Sequence, residues 1–82
     1  MRVKFRGRTF RVTRTCLPKG TYGECSDQEA IIKIDKRLKG WERLTVEVHE
    51  ALHACFPMLG EREIRESGWG IVDLLWKMGY RR

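Results

Sequence analysis

The apolar positions of the opening residues alternate. Val3 and Phe5, then Phe10 and Val12, are separated by basic or polar residues, the period of two expected of half-buried strands. Gly7-Arg8 sits where a tight turn would join two strands, and the second is expected to continue to Thr15. Pro18, Gly20 and Gly23 then break the chain, which predicts a loop from roughly Leu17 to Asp27. Ala30-Ile31-Ile32-Lys33-Ile34-Asp35 reads as a further strand, rich in β-branched residues. Lys39-Gly40 marks a second break.

From about Trp41 to Phe56 the period lengthens. Leu44, Val48, Leu52, Cys55 and Phe56 recur at helical spacing and predict one apolar face. Pro57 ends that helix and Gly60 supplies a loop. A second helix is expected from about Glu61 to Met78, with Ile64, Gly68, Ile71, Leu75 and Met78 as its stripe and Gly79 as its C-cap. Trp69 and Trp76 fall on the flank of that stripe. Strands followed by helices make an α+β fold: a short antiparallel or mixed sheet of about three strands packed on two C-terminal helices.

Eighty-two residues make one domain, 1–82, with a compact core and a thin margin of stability. No apolar run approaches the roughly 20 residues that span a bilayer, so no membrane partner is expected. The start Met1-Arg2-Val3-Lys4 lacks the apolar segment of a secretory signal. Three cysteines, Cys16, Cys25 and Cys55, cannot all pair within one chain. They are expected as reduced, buried small residues in a cytoplasmic protein, although a Cys16–Cys25 bridge is conceivable.

The net charge of +6 is unevenly placed. Arg2, Lys4, Arg6, Arg8, Arg11, Arg14 and Lys19 all precede Glu24, the first acid. Such a segment either solubilises the strands or contacts nucleic acid phosphates or an acidic partner.

The sharpest chemistry lies in His49-Glu50-Ala51-Leu52-His53. Residues four apart on a helix project from one side, so both imidazoles can reach one Zn²⁺ ion at about 2.0–2.1 Å. Glu50 lies beside the first ligand, where a carboxylate can take a proton from an attacking water. The two histidines of the chain are both used by this motif.

A catalytic zinc takes three protein ligands and leaves a fourth position open. With no third histidine, the candidates are carboxylates of the second helix: Glu61, Glu63 and Glu66. At about 100° per residue, Glu61 lies about 50° from the centre of the expected core stripe, Glu63 about 110° away on its other side, and Glu66 nearly opposite. Glu61 is therefore the expected third ligand, with Glu63 the alternative.

His49-Glu50-Ala51-Leu52-His53-Ala54-Cys55, Leu59-Gly60-Glu61-Arg62-Glu63-Ile64 and Leu75-Trp76-Lys77-Met78-Gly79-Tyr80-Arg81 together resemble small phage and prophage zincin-like proteins. These are similar to minimal members of the SprT-like and ImmA/IrrE-like metallopeptidase clans. Tyr22-Gly23-Glu24-Cys25, followed by Ile31-Ile32-Lys33-Ile34, fits the upstream half of that pattern. The resemblance implies a zinc peptidase of gluzincin type, with a short sheet over the active-site helix, a Glu on the following helix as ligand, and a host cytoplasm as location. The chain departs from larger members in the short span between His53 and Glu61 and in lacking a further domain for substrate subsites.

Two functions follow as expectations. The first is a zinc metalloendopeptidase acting on a protein or peptide, with Zn²⁺ on His49, His53 and Glu61 and Glu50 as general base. Its oxyanion stabiliser is open among Tyr22, Tyr80 and several arginines. The second is a non-catalytic module of the same ancestry that contacts DNA or a protein through its basic N-terminal strands. An intact Glu50 favours the first, because a structural zinc has no use for a base.

Overall fold

A computed structural model describes residues 1–81. The fold is α+β: strands β1 (Arg2–Phe5), β2 (Arg8–Thr15), β3 (Gly23–Ser26) and β4 (Ile31–Asp35), then helices α1 (Gly40–Cys55) and α2 (Glu61–Lys77). The strands form one mixed sheet in the order β1-β2-β4-β3. β1 and β2 are an antiparallel hairpin, β2 and β4 run parallel, and β3 pairs antiparallel with β4 on the far edge.

The hairpin turn falls on Arg6-Gly7, one residue earlier than the sequence suggests. Both residues have positive φ, 52° and 80°, as a two-residue turn needs if its twist is to match the strands. Arg6 is then fixed to the helical layer, donating to the Cys55 carbonyl at 3.0 Å at the end of α1.

One sheet face carries the alternating apolar residues, and α1 covers it. Phe10, Ile32 and Ile34 pack with Ala54 into the central cluster, flanked by Phe5, Val12, Leu38 and Val46. Phe5 meets Phe10 edge-on, with ring centroids 5.7 Å apart. α2 packs on α1 rather than on the sheet, so the molecule has three layers with α1 in the middle.

Several expectations are corrected. The sheet has four strands where about three are expected: β3 lies inside the segment expected to be a loop. Its backbone pairs with β4 over Gly23–Ser26 even though its side chains show no apolar alternation. As the middle layer, α1 has two buried faces. Leu44, Val48 and Leu52 form the expected stripe, while Val46, Glu50 and Ala54 lie along the sheet side.

On α2 the buried positions are Ile64, Gly68 and Val72; Ile71 and Met78 face outward, 39% and 63% exposed. Gly68 faces α1, where a Cβ would meet Leu52 at 3.6 Å and Val48 at 4.0 Å, ordinary van der Waals contact. Trp76 packs edge-on against Trp41 at 5.8 Å, but Trp69 is exposed with the Arg65 guanidinium 6.0 Å over its ring.

The cysteines are free thiols but not the buried residues expected: Cys16 is exposed, and Cys25 and Cys55 are half-buried. Among the described residues no helix is long and apolar enough to cross a membrane.

Candidate metal centre

α1 is helical through the motif, so His49 and His53 stack one turn apart on the edge of the helix between its two buried faces. Their rings stand 4.9 Å apart, and both present Nε2 to the same point, 3.2 Å from each other. After α1 the chain turns through Phe56–Gly60, where the Leu59 amide donates to the Phe56 carbonyl at 3.1 Å. α2 then starts at Glu61 and runs back along α1.

This reversal puts the Glu61 carboxylate against both histidines. Oε1 lies 2.6 Å from His49 Nε2, and Oε2 lies 3.1 Å from His53 Nε2. Because α2 buries Val72 instead of Ile71, its core line runs through Gly68, and Glu61 lies only about 20° from it. The carboxylate thus faces α1 more directly than the sequence stripe implies. Glu66 is instead paired with Arg62 at 3.2 Å, and Glu63 lies outside the cluster.

His49, His53 and Glu61 are the one group of His, Cys, Asp or Glu side chains among the described residues whose ligand atoms converge, all within 4.8 Å. The donor set fits zinc. Ligand atoms about 2.0–2.1 Å from a tetrahedral ion stand about 3.3 Å apart, and the observed spacings of 3.1 and 3.2 Å are close to that. The 2.6 Å contact of His49 with Glu61 is that of a charge-assisted hydrogen bond, which a bound cation would open. Were both rings to bind a metal through Nε2, they would carry their proton on Nδ1.

Glu50 sits one residue along, turned toward the sheet side, and is only 8% exposed. Desolvation by burial pushes its carboxyl above the usual range, and Glu61 and Glu24 add to this while the two histidines oppose it. Glu61 has the opposite balance. Desolvation pushes it up, but the His49 hydrogen bond and the charges of both histidines outweigh that and hold it below the usual range.

β3 closes the site from above. Gly23 comes so near α1 that a Cβ there would lie 2.6 Å from Val46 Cγ1 and 2.9 Å from Glu50 Oε2. The sequence marks Gly23 only as a chain breaker; its role as the point where β3 rests on the Glu50 side chain is visible only in the folded structure.

An open cleft of about 530 Å³ runs between β3 and the two helices, lined by Cys25, Asp27, His49, Glu50, His53 and Glu61 among others. Burial, helped by Glu50 and Asp27, pushes the Cys25 thiol up to about 11, so it is a protonated wall rather than a ready thiolate. Tyr22 borders an adjoining recess with His49 and Glu50, whereas Tyr80 lines a separate cavity of about 260 Å³ beside Trp76. Among the described residues the convergent donor set lies on the cleft and not on that second cavity.

Two imidazoles and one carboxylate leave a tetrahedral ion one open position, and a desolvated carboxylate stands beside it. A closed structural zinc site would take four protein ligands. No protein-family model, no curated protein and no solved structure matches this chain.

Proposed function

We propose that this protein is a zinc-dependent peptidase with Glu50 as its general base. The observation that carries the reading is the convergence of His49, His53 and Glu61 on one point, with Glu50 buried next to it. A zinc ion held by these three side chains would supply Lewis acidity, lowering the pKa of water toward about 7 and polarising a carbonyl.

The chain's own residues do the rest. Glu50, made more basic by its burial, accepts a proton as water oxygen attacks the peptide carbonyl carbon. The same carboxyl then gives that proton to the amide nitrogen as the C–N bond breaks, and the second proton of the water follows to the released amine, leaving a carboxylate and an ammonium group. β3, an edge strand beside the cleft, offers unpaired backbone groups to which an extended peptide can add. The cleft is shallow and open, so affinity for substrate would come from main-chain pairing more than from deep side-chain pockets. The free thiols fit a reducing compartment such as the cytoplasm.

The test is hydrolysis of an unfolded protein substrate by the zinc-loaded protein, read as new amino termini. We expect cleavage that stops on chelation and returns with added zinc. Cleavage indifferent to chelator would count against the reading, as would none at all from protein carrying one zinc per chain.

A further inference from the structure

We infer that the open face of the sheet is a binding surface for the phosphate backbone of duplex DNA. Both helices lie on the other side of the sheet, and among the described residues no helix or strand covers this face. Pleating turns Arg2 and Lys4 of β1, Arg11 of β2 and Lys33 of β4 onto it, all exposed, while Val3, Phe5, Phe10, Ile32 and Ile34 point to the core.

The fold divides the basic residues into two sets. Arg6 is tied to the Cys55 carbonyl, Arg8 to Asp27 at 2.9 Å and Arg14 to Glu47 at 3.4 Å. Those cations serve the protein itself. Arg2, Lys4, Arg11 and Lys33 make no ion pair among the described residues.

Arg2 and Arg11 are moreover direct cross-strand partners. Like charges placed opposite one another destabilise a sheet, and a phosphate between them removes the cost. The acids lie at the margin of this footprint. Asp35 is buried and neutralised by Arg37, and Glu24, the cross-strand partner of Lys33, stands on the edge strand, away from Arg2, Lys4 and Arg11.

Spacing and chemistry favour duplex backbone over bases. Neighbouring strands lie about 4.8 Å apart and same-face residues about 6.8 Å apart along a strand, which spreads the four cations over several phosphates. Thr9 and Thr13 stand between them as hydroxyl donors of the kind that contact phosphate. Among the described residues the strands put no aromatic ring on this face, since Phe5 and Phe10 are turned inward, so the stacking platform of single-strand binders is missing there. Binding should therefore ignore sequence and prefer duplex. The inference is independent of the peptidase reading, because none of these residues touches the cleft.

Fluorescence anisotropy with a random 20-base-pair duplex, using the full-length Glu50→Gln protein, tests it. We expect binding at 50 mM salt, with a log–log salt slope of about −3 to −4 for four cations. Arg2→Gln with Arg11→Gln should weaken it at least tenfold and flatten the slope by about 2, at a Tm equal to or above the parent's. Arg62→Gln with Lys77→Gln removes the same charge from α2 and should change affinity less than threefold. Equal weakening by both pairs would trace the attraction to net charge and overturn the assignment. So would tighter binding to polyglutamate, to phosphatidylserine vesicles or to single-stranded DNA of the same length, or no binding at all.

Discussion

Glu61 is the residue whose loss should be felt most sharply at the centre. It is more than half exposed, and by ordinary surface rules its removal should be nearly neutral. As a ligand it should not be. Glu61→Ala is expected to lose most of its zinc under mild dialysis, while Glu63→Ala keeps it, with metal content measured by emission spectroscopy. Retention by both would remove Glu61 from the ligand set.

Gly23 provides a second, separable effect. Any side chain there must displace Val46 or Glu50, an overpacking cost of about 1–3 kcal/mol. Gly23→Ala should keep its zinc yet hydrolyse peptide at least tenfold more slowly, because the base moves while the ligands stay. Unchanged turnover would mean that β3 is not what seats Glu50.

Asp35 carries a pH dependence away from the centre. Hydrogen bonds from the Arg37 side chain and backbone hold its carboxyl well below the usual carboxylate range. An unfolded Asp titrates near about 3.9, so this pair's stabilisation is whole above that pH and is lost as pH falls toward the folded value. The Tm gap between the protein and Asp35→Asn should be widest near neutrality and close below about pH 4. A gap constant down to pH 2 would contradict the pairing.

Among the elements, α2 shows how close a helical reading can come and still miss. Ile71-Val72 and Leu74-Leu75 are adjacent apolar pairs, so two stripes about 100° apart fit the same residues. Packing on α1 alone selects Val72, since α2 needs only one buried face. Val72→Ala should therefore cost about 2–3 kcal/mol in urea unfolding, and Ile71→Ala less than about 1 kcal/mol. The reverse order would restore the stripe through Ile71.

β3 was illegible for a different reason. Gly23-Glu24-Cys25-Ser26 has little strand propensity, and what makes it a strand is the free edge of β4 beside it, a non-local cause. β1, β2, β4 and α1 were legible because their apolar period is local. So was the motif: a helix places His49 and His53 together from four-residue spacing alone, whereas the reach of Glu61 also needs the turn at 56–60.

At the scale of the whole molecule, the three layers separate two surfaces. The cleft faces one way between β3 and the helices, and the basic sheet face lies on the far side of the core from α1. A chain of 82 residues has little core to spare, and the buried carboxylate of Glu50 costs stability. Zinc that binds only the folded chain would offset that cost. In the proposed reaction Glu50 acts as a base at a zinc site it does not help to hold. The decisive measurement is zinc content and peptide hydrolysis, side by side, on the protein and on Glu50→Gln. About one zinc per chain is expected in both, with a rate at least a hundredfold lower in the variant. Equal rates at equal zinc, or loss of the metal with Glu50, would contradict it.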